Sequence, residues 1–297
     1  MDDGGTRLSE GGAQGKCGTT AFGCPRDFLD NRLVYVVISP RARGLSIGVN
    51  LNPDRQCKFD CVYCEVNRSQ AIPAPAPIDL DGMAAELHDT IEFVRSGAIG
   101  ARSPFNLLPR ELLELRHVAL SGDGEPTWSP QFADAIESVV HVRARIAGGF
   151  FKIIVISNAT CFEHPSVQKG IALLTSHDEV WAKLDAGTQP YMDKVNRSQI
   201  PLAKVIENIR MMARRRPVMI QSLFPSLSGR GPSEAEILAY AERLKDLTDS
   251  GAQIPLVQIY SATRPTMNQA CGHLPLQTLS AIARTVRNVS GLRAEVF

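Results

Sequence analysis

The segment Gln56-Cys57-Lys58-Phe59-Asp60-Cys61-Val62-Tyr63-Cys64-Glu65 carries three cysteines at C-x3-C-x2-C spacing. Thiolates are metal ligands, and three at this pitch can wrap one face of a cubane iron–sulfur cluster while leaving one iron without a protein ligand. An incomplete ligand set leaves a coordination position for substrate, as it does at catalytic metals generally. No fourth Cys or His lies within the local loop. The alternative is a zinc site completed from a distance by Cys161, Cys271 or His273.

Other chemistry-bearing residues fall where apolar runs end. Leu120-Ser121-Gly122-Asp123-Gly124-Glu125-Pro126-Thr127 closes one run, and its glycines allow backbone to approach a ligand closely. Ser157, Asn158 and Thr160 close the next, as binders of a ribose or carboxylate or as caps of the following turn. In Val180-Trp181-Ala182-Lys183-Leu184-Asp185, period-two alternation puts Trp181, Lys183 and Asp185 on one face. There Lys183 and Asp185 must pair with each other or meet an anionic or polar ligand. Gln221 and Ser222 end a further run, and Gln258-Ile259-Tyr260-Ser261-Ala262-Thr263-Arg264-Pro265 the last, with Arg264 a candidate anchor for an anionic substrate group.

These positions need a scaffold that brings strand ends together. Val34–Ile38 and Leu45–Val49 read as strands around a turn near residues 41–44. Thereafter helices near 79–96, 131–146, 164–175, 201–215, 233–249 and 276–289 alternate with strands His117–Ser121, Lys152–Ser157, Glu179–Leu184, Val218–Leu223 and Leu256–Tyr260. Such alternation means right-handed βαβ units around a parallel sheet. Six units, counting the strand before the cysteine loop, predict an α/β fold: a partial (β/α)6 TIM-like barrel with an N-terminal extension. Chemistry then belongs in the loops after the strands. Residues 1–30, rich in Gly, Ser, Thr and Asp, read as a loosely ordered leader to a domain over 31–297, and the alternating prolines of 72–77 as an extended connector.

Composition narrows the class. With 297 residues, 44% hydrophobic and 21% charged, the chain is an ordinary globular one, and a net charge of +1 gives no bulk attraction to nucleic acid or anionic membrane. No apolar run approaches a membrane span, and the acidic N-terminus lacks a signal peptide's apolar region, so the expected location is cytoplasmic. Seven cysteines, an odd number with three crowded together, suit metal binding in a reducing compartment better than disulfides. Arg214-Arg215-Arg216 ends a helix, where cations suit the dipole, with nucleic-acid contact the lesser reading. Cys17 and Cys24, joined by Cys161 or Cys271, are candidates for a second cluster.

The cysteine segment resembles the signature of the radical S-adenosylmethionine (SAM) superfamily, C-x3-C-x-aromatic-C, with Tyr63 at the aromatic position. The turns around Gly124-Glu125-Pro126-Thr127, Ser157-Asn158-Ala159-Thr160, Lys183-Leu184-Asp185-Ala186 and Tyr260-Ser261-Ala262-Thr263-Arg264-Pro265 are similar to the branch of wyosine-synthesis enzymes that act on tRNA, over roughly residues 33–270. The chain lacks a fused flavodoxin domain, a strongly basic surface signal and a clear second cysteine triad, so the tRNA substrate does not carry over. The resemblance implies a 4Fe–4S cluster on Cys57, Cys61 and Cys64 and SAM as cofactor. Tyr63 would lie near the adenine, Gly124 and Glu125 at the methionine amino group, and Ser157, Asn158, Gln221 and Tyr260 around the cofactor. Lys183 would meet the SAM carboxylate or the substrate, and Asp185 a ribose hydroxyl or Lys183 itself. The implied reaction is reductive cleavage of SAM to a 5′-deoxyadenosyl radical that takes hydrogen from a small molecule or RNA, with flavodoxin or ferredoxin as electron donor. Two alternatives stand beside it: an activase of a glycyl radical enzyme, and a zinc-binding adaptor for RNA or protein.

Overall fold

The computed structural model describes residues 28–68, 77–147 and 150–297. Most of the expected leader, with Cys17 and Cys24, and nearly all of the proline connector lie outside the described residues. The last residues of that leader, Phe28–Asp30, form a packed turn. Phe28 is buried, its ring edge-on to Phe93 and Phe105 at 5.9 and 6.0 Å, so the core begins before residue 31.

The chain runs β1 (Val34–Ser39), β2 (Gly44–Val49), α1 (Leu80–Arg95), β3 (Leu115–Leu120), α2 (Phe132–Arg145), β4 (Lys152–Ser157), α3 (Pro165–Ala172), β5 (Glu179–Lys183), α4 (Gln189–Val195), α5 (Leu202–Arg215), β6 (Val218–Leu223), β7 (Ser226–Leu227), α6 (Glu234–Asp249), β8 (Val257–Tyr260), β9 (Cys271–Gly272), α7 (Leu276–Ser290) and β10 (Ala294–Val296). One sheet takes the order β1-β2-β3-β4-β5-β6-β8-β10. β1 pairs antiparallel with β2, and every other pairing in it is parallel. The sheet curls into a half-barrel, as the β/α alternation predicts. It has one parallel strand more than expected. β10 is three residues long, too short for a periodic signal, and it forms because Ala294–Val296 can pair with β8. The helix α4 also lies where none was expected; Thr188 caps it, accepting from Tyr191 N at 3.4 Å.

Alternation sorts each strand into two faces. Val118, Leu120, Ile153, Val155, Val180, Ala182, Val218, Ile220, Val257 and Ile259 are buried with the helices' apolar stripes in the main core. Ala119, Ile154 and Trp181, joined by Ile156 and Met219, form a separate apolar floor on the inner face. Trp181 meets His117 edge-on at 5.8 Å and donates from Nε1 to Glu179 at 2.7 Å. Burial, with Lys152 and Arg41 nearby, pushes His117 down to about 3, so it stays neutral over the working pH range. Gly48 opposes Tyr35, and a Cβ on it would sit 2.0 Å from the ring; the glycine lets that ring lie flat on β2.

Asp178 fastens the outer layer. It takes both arms of Arg143 from α2 (2.6 and 3.1 Å), Ile153 N at the start of β4 (2.8 Å) and Thr175 N (2.8 Å). Burial alone would raise its carboxyl, but Arg143 and the backbone donors outweigh it and hold the group below the ordinary carboxylate value. A depressed pKa contributes stability above the unfolded value, about 3.9, that is lost as pH falls through the folded one. Asp178→Asn is therefore expected to cost about 3 kcal/mol in urea denaturation at neutral pH, with the gap to wild type shrinking in acid. A gap that stayed constant into acid would refute the assignment.

Candidate active site

The loop from Asn50 to Arg68 leaves β2 at the C-terminal end of the parallel strands. It is anchored through its backbone. Gln56 O accepts from Glu125 N at 3.0 Å, Asp60 N donates to Asn196 O at 3.0 Å, and Val62 N donates to Val195 O at 2.9 Å. Phe59 and Val62 are its buried apolar pegs. The loop's three cysteines are each half-buried and free of disulfides.

Each sulfur accepts N–H groups. Cys57 Sγ takes Phe59 N at 3.4 Å and Asn158 Nδ2 at 3.6 Å. Cys61 Sγ takes Asn196 Nδ2 at 3.4 Å, and Cys64 Sγ takes Val66 N at 3.4 Å and Arg68 Nη1 at 2.9 Å. Arg68 also donates to Asp123 O at 2.9 Å, and its charge acts on all three thiols, which outweighs its desolvation and keeps it firmly cationic. Burial, with Glu125 nearby, pushes the Cys57 thiol up to about 11. Burial, with Asp185 nearby, pushes Cys61 up to about 12. These two are thiols at neutral pH until a cation binds and displaces their protons. N–H groups aimed at sulfur are the usual means by which a protein tunes an iron–sulfur cluster, so the donor set fits one. Among the described residues, no three His, Cys, Asp or Glu side chains converge closely enough to hold a single metal ion. The same holds of Cys57, Cys61 and Cys64 with one another.

Beside the loop, the inner face carries a polar chain. Asp185 is 3% exposed. Its Oδ1 accepts from Leu223 N at 2.8 Å and from Lys183 Nζ at 3.0 Å, and its Oδ2 from Asn196 Nδ2 at 2.8 Å and from the Tyr63 hydroxyl. Lys183 donates on to Tyr260 Oη at 3.0 Å, Tyr260 to Gln221 Oε1 at 3.3 Å, and Gln221 to Gln258 at 3.3 Å. The structure thus brings Tyr63, Lys183, Asp185, Gln221 and Tyr260 together, as expected of strand ends. Desolvation would lower Lys183, but Asp185 and Tyr260 outweigh it and keep it an ammonium. Burial, then Asp185, drives Tyr63 well above its ordinary value.

Curated relatives that the chain matches are UPF0026 proteins. One from Helicobacter pylori is 25% identical over 178 residues, 60% of this chain and 49% of that one; one from Synechocystis sp. is 22% identical over 180 residues, 60% of this chain and 58% of that one. The chain spans about half the length of the Helicobacter relatives it matches. No family model matches. Among solved structures, TYW1 with a lysine-pyruvate adduct bound superposes with a TM-score of 0.57 at 15% identity, covering 88% of this chain and 85% of that one. Streptococcus suis SuiB bound to S-adenosylmethionine gives 0.55 at 10%, covering 86% and 52%, and a spore photoproduct lyase gives 0.51 at 10%, covering 81% and 73%. The chain shares the fold of these structures. At such identities the likeness establishes architecture, and the chemistry must come from the residues.

The Glu125 carboxylate is fully engaged inside the protein. Oε1 accepts from Ser157 Oγ at 2.7 Å, Thr127 Oγ1 at 2.5 Å and Thr127 N at 3.1 Å, and Oε2 from Asn158 N at 2.7 Å. Burial still raises its pKa, although these donors pull it back. The close approach made by Gly124 is to the cysteine loop: a Cβ there would lie 2.1 Å from Gln56 O. Glu125, Gly124 and Ser157 so join β3 and β4 to the backbone before Cys57. Asn158 caps Thr160 N at 3.0 Å, one of the two readings of that turn, and its Nδ2 also reaches Cys57 Sγ at 3.6 Å.

Arg264 is paired with Glu65 at 3.0 Å. The arginine run is structural: Arg214 donates to Ser250 O at 2.7 Å, Arg215 to Gln168 at 2.8 Å, and Arg216 to Ile171 O, Thr175 O and Asp178 O at 3.0 to 3.1 Å. Cys161 lies in the core and Cys271 on β9, and neither joins a metal-binding group among the described residues. The residues that sequence reasoning missed are Arg68 and Asn196. Arg68 lies four residues past Cys64 and was legible as a cation beside thiolates; Asn196 is 132 residues from Cys64 and gave no sequence signal.

Proposed function

We propose that the chain is a radical SAM enzyme that holds a 4Fe–4S cluster on Cys57, Cys61 and Cys64. When bound, such a cluster supplies the electron for reductive cleavage of SAM to the radical-forming 5′-deoxyadenosyl group. The observation that carries this reading is the three-cysteine loop fixed at the barrel mouth, its sulfurs supplied with N–H donors and faced by Arg68.

The chain's own residues then have definite tasks. Arg68 and the N–H groups offset thiolate charge. Asp185 fixes the Tyr63 ring beside the cysteines and orients Lys183. Lys183, Tyr260 and Gln221 present a polar wall that can orient SAM and substrate. The TYW1 structure carries a lysine-pyruvate adduct. Lys183 is held as an ammonium by Asp185 and Tyr260, so here it acts as a charge partner and not as an amine nucleophile. Glu125, its carboxylate engaged by Thr127, Ser157 and Asn158 and its N–H by Gln56 O, positions the loop. The electron donor is a flavodoxin or ferredoxin, and the substrate a small molecule or an RNA. No helix among the described residues is long and apolar enough to cross a membrane.

The test is anaerobic reconstitution with iron and sulfide, then incubation with dithionite and SAM. The expected result is about four irons per chain and formation of 5′-deoxyadenosine. A protein that binds stoichiometric zinc and forms none would overturn the reading.

A further inference from the structure

The inner face of the half-barrel holds one cation with no task so far. Arg41 belongs to the turn between β1 and β2, at the opposite end of the barrel from the cysteine loop. Its guanidinium carbon lies 4.4 Å from the centre of the Tyr260 ring, the ring whose hydroxyl receives Lys183. Its charge also bears on His117, on the inner face of β3. Arg41 therefore points into the bore, from the floor towards the polar wall.

Other arginines of the barrel are matched by acceptors. Arg43, two residues on, is exposed and pairs with Glu295 at 3.7 Å; Arg143 pairs with Asp178 and Arg264 with Glu65. Arg41 has no hydrogen-bond acceptor among the described residues, and its Nε is buried without a partner. A guanidinium has five donors in a planar fork, and in Arg41 the Nε–H is withdrawn from water unpaired, which is costly. Asp185, the carboxylate on this wall, is already engaged by Lys183, Tyr63, Asn196 and Leu223. Lys183 Nζ lies 5.0 Å from the same Tyr260 ring centre, so two cations converge on one aromatic, while the inner-face carboxylates Asp185 and Glu179 are engaged by Lys183 and by Lys152 and Trp181.

We propose that Arg41, with Lys183 beside Tyr260, anchors an oxyanion of the substrate, a carboxylate or a phosphate, inside the bore. Arg264, the anchor expected from sequence, is occupied by Glu65; Arg41 has the free fork. This rests on reading the barrel as the reaction chamber, and it assigns the substrate an acidic group that enters the bore while the reacting carbon faces the cysteine loop.

The experiment is isothermal titration of the full, anaerobically reconstituted chain with inorganic phosphate and, separately, with succinate. Wild type is expected to bind at least one of them saturably, and Arg41→Gln to bind it about tenfold or more weakly. Arg41→Lys keeps the charge but loses the fork, and is expected to fall between them. Arg43→Gln, on the exposed side of the same turn, is expected to bind like wild type. Phosphate alone would mark a phosphoryl substrate and succinate alone a carboxylate. Saturable binding of neither anion, equal binding by Arg41→Gln, or equal weakening by Arg43→Gln would overturn the proposal. The two readings fail separately: 5′-deoxyadenosine formed by a protein that binds neither anion defeats the anchor only, and Arg41-dependent binding without 5′-deoxyadenosine defeats the radical chemistry only.

Discussion

Alanine at Cys57, Cys61 or Cys64 is expected to reduce 5′-deoxyadenosine formation to background in each case. A cluster that takes three protein ligands has none to spare, and the remaining two thiolates cannot hold it against dithionite and chelation. The effect should separate cleanly from folding. The three cysteines are half-buried in a loop whose place is set by Phe59, Val62 and backbone hydrogen bonds, not by the sulfurs. Circular dichroism and urea midpoints should therefore stay within about 1 kcal/mol of wild type while iron content falls. Activity surviving in all three variants would end the cluster assignment. Loss of fold in all three would show that the thiols are structural.

Asp185→Ala is expected to have the largest effect on stability. It strips the acceptor from Lys183, Tyr63, Asn196 and Leu223 N at once, and strands a largely buried ammonium. Breaking a buried pair by removing one partner costs about 3–5 kcal/mol, measurable by urea denaturation, and SAM cleavage should fall with it because Tyr63 loses its tether. The double variant Lys183→Met with Asp185→Leu removes both charges and should recover part of the loss. The pH dependence has a definite sign. The folded pKa of Lys183 is raised, so the pair's contribution is fully present below the unfolded lysine value, about 10.4, and is lost only as pH rises through the folded one. The gap between wild type and Asp185→Ala should be flat from pH 6 to about pH 9. A gap that changes through neutrality would mean that another group governs it.

The residues explain which parts could be read in advance. The β/α alternation is a local signal of period and punctuation, so β2 to β8 and most helices were legible to within a few residues. β10 and α4 are short, and tertiary pairing and a cap stabilise them, which leaves no periodic trace. The cysteine spacing is local and was legible; the partners of its sulfurs come from β4, α4 and the loop's own end. Glu125 shows the limit most clearly. A Gly-Glu turn after a strand reads equally as a ligand contact or as a brace, and the four donors that engage the carboxylate come from Thr127, Ser157 and Asn158.

The anchoring of the Asn50–Arg68 loop by Glu125, Val195 and Asn196 has a consequence for how the protein matures. Zinc fingers acquire their shape together with their ion and spend part of the binding free energy on ordering the chain. Here backbone hydrogen bonds to Glu125, Val195 and Asn196 fix the loop, so on the proposed reading little of a cluster's binding free energy would go into ordering the chain. Loss of the proposed cluster would then leave the loop's backbone anchors in place.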